Sequence, residues 1–199
     1  MDRLTCQYYN DNQVSFFDST VNADVSDLYD HFLKLIPING SILDLGCGSG
    51  RDTKFFLDKG YSVDAIDGSP ELCELASRHT GIRVQCKDFS ELNDIDKYDG
   101  IWACASLLHV SYAELPIILN RIHSVLKIKG KLYLSFKYGD FEGVRNGRYF
   151  TDINDERFDY LIEQVNDLYI VEKWYSIDVR PDHNVKWFNA ILSKGRSDG

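Results

Sequence analysis

The sequence has 199 residues, 22 of them basic and 31 acidic for a formal net charge of −9, with 44% hydrophobic and 13% aromatic side chains. Length and apolar content suit one globular domain over 1–199 and leave little room for two, while the negative field disfavours a protein that grips nucleic acid by its phosphates. No apolar run is long enough to span a membrane, and the first residues lack the basic and apolar regions of a secretory signal, so the expected compartment is the cytoplasm.

In chain order, bulky residues between Thr5 and Thr20 fall near a helical period, and Val25, Leu28, Tyr29, Phe32, Leu33 and Ile36 follow a helical stripe that Pro37 stops. Two N-terminal helices over 1–37 are expected, capping the domain. Ser41 to Leu45 is a short apolar strand followed by a glycine cluster and a helix from Arg51 to Lys59. The unit recurs, with Tyr61 to Asp67 as strand and Pro70 to His79 as helix, and Ile82 to Cys86 is the next strand.

Gly100 to Ala105 is unbroken in its apolar character, as a strand covered on both faces should be. A helix over 112–127 and a strand over 131–137 follow, then a helix marked by Phe158, Leu161, Ile162 and Val165. Two last strands, Tyr169 to Val179 and Val185 to Ser193, are joined by Arg180-Pro-Asp-His-Asn184. Alternating strands and helices predict an α/β, doubly wound, Rossmann-like sheet, mostly parallel, with the final hairpin supplying an antiparallel strand at its edge. The least regular stretch, Tyr138 to Asn154, is expected to be a mobile loop.

The five cysteines, Cys6, Cys47, Cys73, Cys86 and Cys104, never form Cys-x-x-Cys, and His31, His79, His109, His123 and His183 are equally scattered. Neither a disulfide framework nor a metal centre is expected, and the chemistry should come from an organic cofactor.

In a doubly wound sheet the ligand lies beyond the carboxyl ends of the strands, so strand-end residues carry the functional information. The first is Asp44-Leu-Gly-Cys-Gly-Ser-Gly50, whose glycines Gly46, Gly48 and Gly50 let a ligand approach the backbone, with Cys47 between them. Asp67, about twenty residues on and followed by Gly68 and Ser69, can accept both hydroxyls of a ribose. Asp88 with Phe89 suits the rim of an adenine pocket, although an aspartate there is also ordinary turn chemistry. Ala105 and Ser106 leave room for a ligand at the fourth strand end, and His109 beyond them is either a structural histidine or a general base.

The glycine spacing departs from the Gly-x-Gly-x-x-Gly of dinucleotide enzymes, and Asp44 beside the loop would repel a pyrophosphate but attract a cation. That favours a nucleoside bearing an amine and a sulfonium, S-adenosylmethionine. At these residues, Ile42 to Gly50, Asp67 and Asp88-Phe89, the sequence resembles the class I S-adenosylmethionine-dependent methyltransferases. The resemblance implies that Asp44 and the Gly46 to Gly50 loop hold the methionine portion directly or through water, Asp67 the ribose, and Asp88 with Phe89 the adenine. Ala105 and Ser106 then line the pocket floor.

Methyl transfer needs an acceptor held in line, shielded from water and relieved of a proton. Tyr8 and Tyr9 are expected to close over the cofactor, and Lys137, Tyr138, Arg148 and Tyr149 to contact the acceptor, with Lys137 or Arg148 attracting a carboxylate or phosphate. His109, Tyr9 and Lys137 are the catalytic candidates. A small-molecule acceptor ranks first because the cofactor sheet uses nearly all of the chain. The alternatives are an RNA or protein methyltransferase, which a basic surface of Lys137, Arg145 and Arg148 beside the pocket would favour, and a cofactor-binding subunit that acts with a partner.

Overall fold

The computed structural model describes residues 3–180 and 184–195, so His183 and the middle of the Arg180 to Asn184 connection lie outside the described residues. The N-terminal cap is three helices, α1 (Arg3–Asp11), α2 (Gln13–Thr20) and α3 (Ser26–Leu33). The first expected helix is split in two because the Asn12 side-chain amide donates to the Tyr8 carbonyl at 2.8 Å and Asn12 itself leaves helical geometry.

The alternating body follows as β1 (Ser41–Leu45), α4 (Arg51–Asp58), β2 (Ser62–Asp67), α5 (Pro70–Thr80), β3 (Gln85–Cys86), β4 (Tyr98–Ala103), α6 (Leu115–Val125) and β5 (Leu126–Lys137). Next come β6 (Glu142–Arg145), β7 (Arg148–Thr151), α7 (Asp155–Glu163), β8 (Leu168–Ile177) and β9 (Lys186–Lys194). Among the described residues the main sheet has seven strands in the order β3-β2-β1-β4-β5-β9-β8. All pair in parallel except β9, which runs antiparallel to both neighbours. The antiparallel strand is therefore not at the edge, as the hairpin suggested: β9 inserts beside β5 and leaves β8 outermost. This lets the long apolar run Phe188 to Leu192 be buried on both faces, while β8 alternates half-exposed and exposed residues.

The pleat divides the core. Ile42, Trp102, Tyr133 and Ile191 face α3 and α4 with Phe32 and Phe56, while Leu43, Leu45, Ile101, Ala103, Leu132 and Leu134 face the other way with Leu119 and Ile122 of α6 and Leu161 of α7. Chain order reverses between β1 and β4, which opens a crevice at their carboxyl ends.

Residues 138–154 are not an irregular loop. They hold the antiparallel hairpin β6-β7, turned by Asn146 and Gly147 at φ of 50° and 77°. Those angles are the pair that a two-residue Asn-Gly turn requires, and the hairpin folds back over the crevice.

Candidate functional site

One large cavity of about 1040 Å³ runs along the carboxyl ends of the strands, from Asp67 and Phe89 on one side to Lys137 and Trp187 on the other. Gly46, Cys47, Gly48, Ser49, Gly68, Ala105 and Ser106 form its floor. The glycine loop is set by close approaches: a Cβ on Gly46 would lie 2.5 Å from that of Ser106, and one on Gly48 would lie 3.1 Å from the Phe16 ring. Both have positive φ. Phe16 of α2 thus rests on the loop and, with Tyr9 of α1, forms a roof.

That roof is tethered at both sides of the crevice. The Ser69 hydroxyl donates to Asn10 at 2.6 Å, and the Tyr149 N–H donates to the Thr5 hydroxyl at 2.9 Å. Asp67 is 6% exposed, and its two oxygens accept from the N–H groups of Gly48 and Ser69, each at 2.9 Å. Burial raises the pKa of Asp67, opposed by the N–H groups of Ser69, Gly48 and Gly68.

Several expected residues sit off the wall. Asp44 lies beneath the loop, where it accepts from the Thr53 hydroxyl at 2.5 Å. Gly50 packs on α5 rather than lining the cavity, since a Cβ there would meet Thr80 and Ala76. Ser69 is fully buried as the N-cap of α5, accepting from the Leu72 N–H. Asp88 caps a single 3₁₀ turn by accepting from the Ser90 N–H, and only its neighbour Phe89 reaches the cavity. Tyr138 turns to Tyr175 and Tyr149 gives its hydroxyl to Glu142 at 2.7 Å, so neither lines the cavity. Tyr8 backs the wall as a stacking surface for Arg148.

Tyr9, His109, Lys137 and Arg148 all line the cavity. His109 Nδ1 is 2.6 Å from the Tyr149 carbonyl oxygen, which only accepts, so Nδ1 carries hydrogen and Nε2 accepts from the Tyr9 hydroxyl at 2.9 Å. Arg148 in turn donates to the Tyr9 oxygen at 3.4 Å. Burial raises the pKa of Tyr9, with the Arg148 charge acting the other way.

A second network was absent from the sequence reading. Asp52, on the first turn of α4, accepts from the Tyr29 hydroxyl at 2.6 Å, the Trp102 indole at 2.7 Å and Arg51 Nε at 2.6 Å. Burial raises its pKa most, yet Arg51 and the Tyr29 and Trp102 donors outweigh it and hold the carboxyl below its usual range. Asp44 forms no ion pair among the described residues, and the Thr53 hydroxyl and the more distant Arg51 charge only partly oppose its rise. Burial and then the Asp52 charge push its pKa up to about 8.

A folded-state pKa above the unfolded one means the native state binds the extra proton, so the ionisation of Asp44 costs stability as pH rises from about 4 to about 8. Asp44→Asn is expected to gain stability relative to the parent over that window. Urea midpoints for both proteins at pH 5 and pH 8 check this, and a constant difference at the two pH values would contradict it. Burial pushes the Cys104 thiol up to about 12, which disfavours the thiolate that a nucleophile would need.

A model of the methyltransferase domain family matches residues 42–130, the span from β1 into the first residues of β5. An uncharacterized methyltransferase of Staphylococcus carnosus is 23% identical over 197 residues, covering 89% of this chain and 94% of that protein. Residues 42–130 therefore carry a methyltransferase domain. A ubiquinone biosynthesis O-methyltransferase of Xanthomonas axonopodis is 32% identical over 109 residues, 51% of this chain, which spans only 45% of that protein.

In fold, the methyltransferase is similar to the Burkholderia thailandensis 1,6-didemethyltoxoflavin-N1-methyltransferase, solved with 1,6-didemethyltoxoflavin and S-adenosylhomocysteine. The TM-score is 0.73 at 24% identity, over 96% of this chain and 85% of that one. A Methanosarcina mazei S-adenosylmethionine-dependent methyltransferase gives 0.74 at 20% identity, over 85% of this chain and 99% of that one.

The methyltransferase cavity fits its cofactor, S-adenosylmethionine. The Ser106 hydroxyl is buried on the floor with no partner among the described residues, and a polar group entering from the cavity would satisfy it. The Phe89 ring and Leu72 offer an apolar seat beside Asp67. Among the described residues no helix is long and apolar enough to cross a membrane.

Proposed function

We propose that this methyltransferase modifies a small molecule seated beside the cofactor inside the same cavity. The observation that carries this reading is the cavity's extent: about 1040 Å³, at the upper end of single-ligand pockets, continuous from the Asp67 side to the Lys137 side. It has room for two molecules. Asp67 would hold the ribose hydroxyls, Phe89 and Leu72 the adenine, and the Gly46 to Ser49 backbone with Ser106 the methionine portion. When bound, S-adenosylmethionine supplies a methyl group on a sulfonium.

The chain's own residues then position the acceptor and take its proton. Tyr9, roofing the cavity, accepts the acceptor's proton while passing its phenol proton to Nε2 of His109, and the Tyr149 carbonyl fixes the ring for that role. Phe16 and Tyr9 cover part of the cavity above the glycine loop. The small molecule held by the Burkholderia enzyme, and the name of the ubiquinone biosynthesis O-methyltransferase, agree with a small acceptor.

An RNA acceptor has one observation in its favour, the grouping of Lys137, Arg145 and Arg148 around Phe150. Arg145 is neutralised by Asp152, however, and Lys137 and Arg148 face into the cavity rather than outward, which favours a ligand held inside it. Transfer of labelled methyl into fractionated cell extract tests the proposal. Label is expected in the small-molecule fraction, and label confined to RNA or protein would overturn it. In the same assay Tyr9→Phe is expected to lose roughly 10²-fold in rate at unchanged S-adenosylhomocysteine affinity, and a rate within about twofold removes Tyr9 from the proton route.

A further inference from the structure

The far end of the cavity is an unusual place in an acidic chain. Lys137 at the end of β5, Arg148 on β7 and Arg180 after β8 all line it. β5 stands three strand positions from β2 in the sheet, so this cluster lies roughly 14 Å across from Asp67 at ordinary strand spacing. Arg180 is matched by Asp178 at 2.7 Å, and Arg145 behind the wall by Asp152.

Lys137 and Arg148 are not matched. Among the described residues neither has a carboxylate within ion-pair distance, in a chain with 31 acidic side chains against 22 basic ones. What holds them is aromatic. The Lys137 ammonium lies 4.2 Å from the centre of the Phe150 ring, and the Arg148 guanidinium lies 4.5 Å from that of Tyr8 and 5.2 Å from that of Phe150.

Ring faces offset part of the cost of removing a cation from water, but they accept no hydrogen bonds in the plane of a guanidinium. Of the five N–H groups of Arg148, one reaches Tyr9 at 3.4 Å, and its Nε is buried without an acceptor among the described residues. Lys137 makes no hydrogen bond to any described residue, and burial first, then the Arg145 charge, lowers its pKa, with the more distant Asp152 charge opposing them only in part. Two partly desolvated cations, fixed by ring stacking, with donors unspent and facing one cavity, are a preorganised anion site.

We infer that the methyl acceptor is a small anion whose carboxylate or phosphate is held between Lys137 and Arg148, its body against the rings of Tyr9, Phe150, Tyr175 and Trp187. This rests on the small-molecule reading of the same cavity and names the class of molecule that fills it. It also separates the cavity's two halves by charge: an acidic cofactor end around Asp67 and a cationic acceptor end around Lys137 and Arg148. A cationic cofactor and an anionic acceptor are thereby sorted to opposite ends before the chemistry begins.

The test uses the full chain saturated with S-adenosylhomocysteine and three probes of one shape: benzoate, phenyl phosphate and neutral benzamide, followed by ligand-observed NMR titration. At least one anion is expected to bind roughly tenfold more tightly than benzamide. A preference for benzoate identifies a carboxylate on the acceptor, and one for phenyl phosphate identifies a phosphate. Lys137→Met and Arg148→Met should each remove that preference while leaving S-adenosylhomocysteine affinity unchanged.

Benzamide binding as well as both anions would overturn the inference. So would anion binding that survives in the double variant, or a single-stranded RNA oligonucleotide that binds through the same two cations and is not displaced by benzoate. Failure of S-adenosylhomocysteine itself to bind would instead overturn the assignment of the cofactor end, so the two failures are distinguishable.

Discussion

Asp67→Ala is expected to weaken S-adenosylhomocysteine binding by roughly a hundredfold while the protein stays folded. The carboxyl group stands at the end of β2 on the cavity wall, and a ribose there would give its two oxygens two hydroxyl hydrogen bonds, each worth about 1–1.5 kcal/mol. The same carboxylate anchors the Gly48 and Ser69 N–H groups, so its loss also loosens the loop that the methionine portion would rest on. Asp67→Asn keeps one acceptor oxygen and should fall between. Calorimetric titration of the three proteins, with urea midpoints as the control for folding, checks this. Equal affinity in parent and Asp67→Ala would remove Asp67 from the site.

Asp52→Ala is expected to cost about 3–5 kcal/mol of stability, a large share of what a domain of this size has. The substitution leaves a buried guanidinium, an indole N–H and a phenol without their shared acceptor, and all three donors come from different elements: Tyr29 from α3, Arg51 from α4, Trp102 from β4. Trp102 stacks on Tyr133 at 4.0 Å, so the disturbance enters the centre of the sheet. Tyr29→Phe removes one donor and one bond together, and should cost only about 1 kcal/mol. Urea unfolding of both variants measures the difference. A loss below about 1 kcal/mol for Asp52→Ala would mean that the network is not holding the fold.

These two aspartates also mark what could be read from the chain alone. Asp67 is legible because strand, glycine loop, helix and strand-end acid occupy adjoining segments, so local pattern specifies the site. Asp52 is not, because its partners come from positions 29 and 102, which only the packing of α3 and α4 on β4 brings together. Phe16 over Gly48 is invisible for the same reason. The place of β9 is not legible either, because hairpin spacing fixes which strands pair but not which of the two enters the sheet.

The hairpin over 142–151 is a different kind of miss. Its signal, Asn146-Gly147 between Val144-Arg145 and Arg148-Tyr149, is present in the sequence. It was obscured because the flanking strands are short and mix charge with aromatic residues rather than alternating apolar with polar. That mixture has a physical use here: the charged residues Arg145 and Arg148 stack on the aromatic ones, and Arg148 presents its guanidinium to the cavity.

The central claim is that the crevice between β1 and β4 binds S-adenosylmethionine, with its ribose on Asp67. Calorimetric titration of the unmodified protein with S-adenosylhomocysteine, and separately with NAD, tests it most directly. One molecule of S-adenosylhomocysteine per chain with no measurable NAD binding is the result expected; tight NAD binding with no heat from S-adenosylhomocysteine would contradict it.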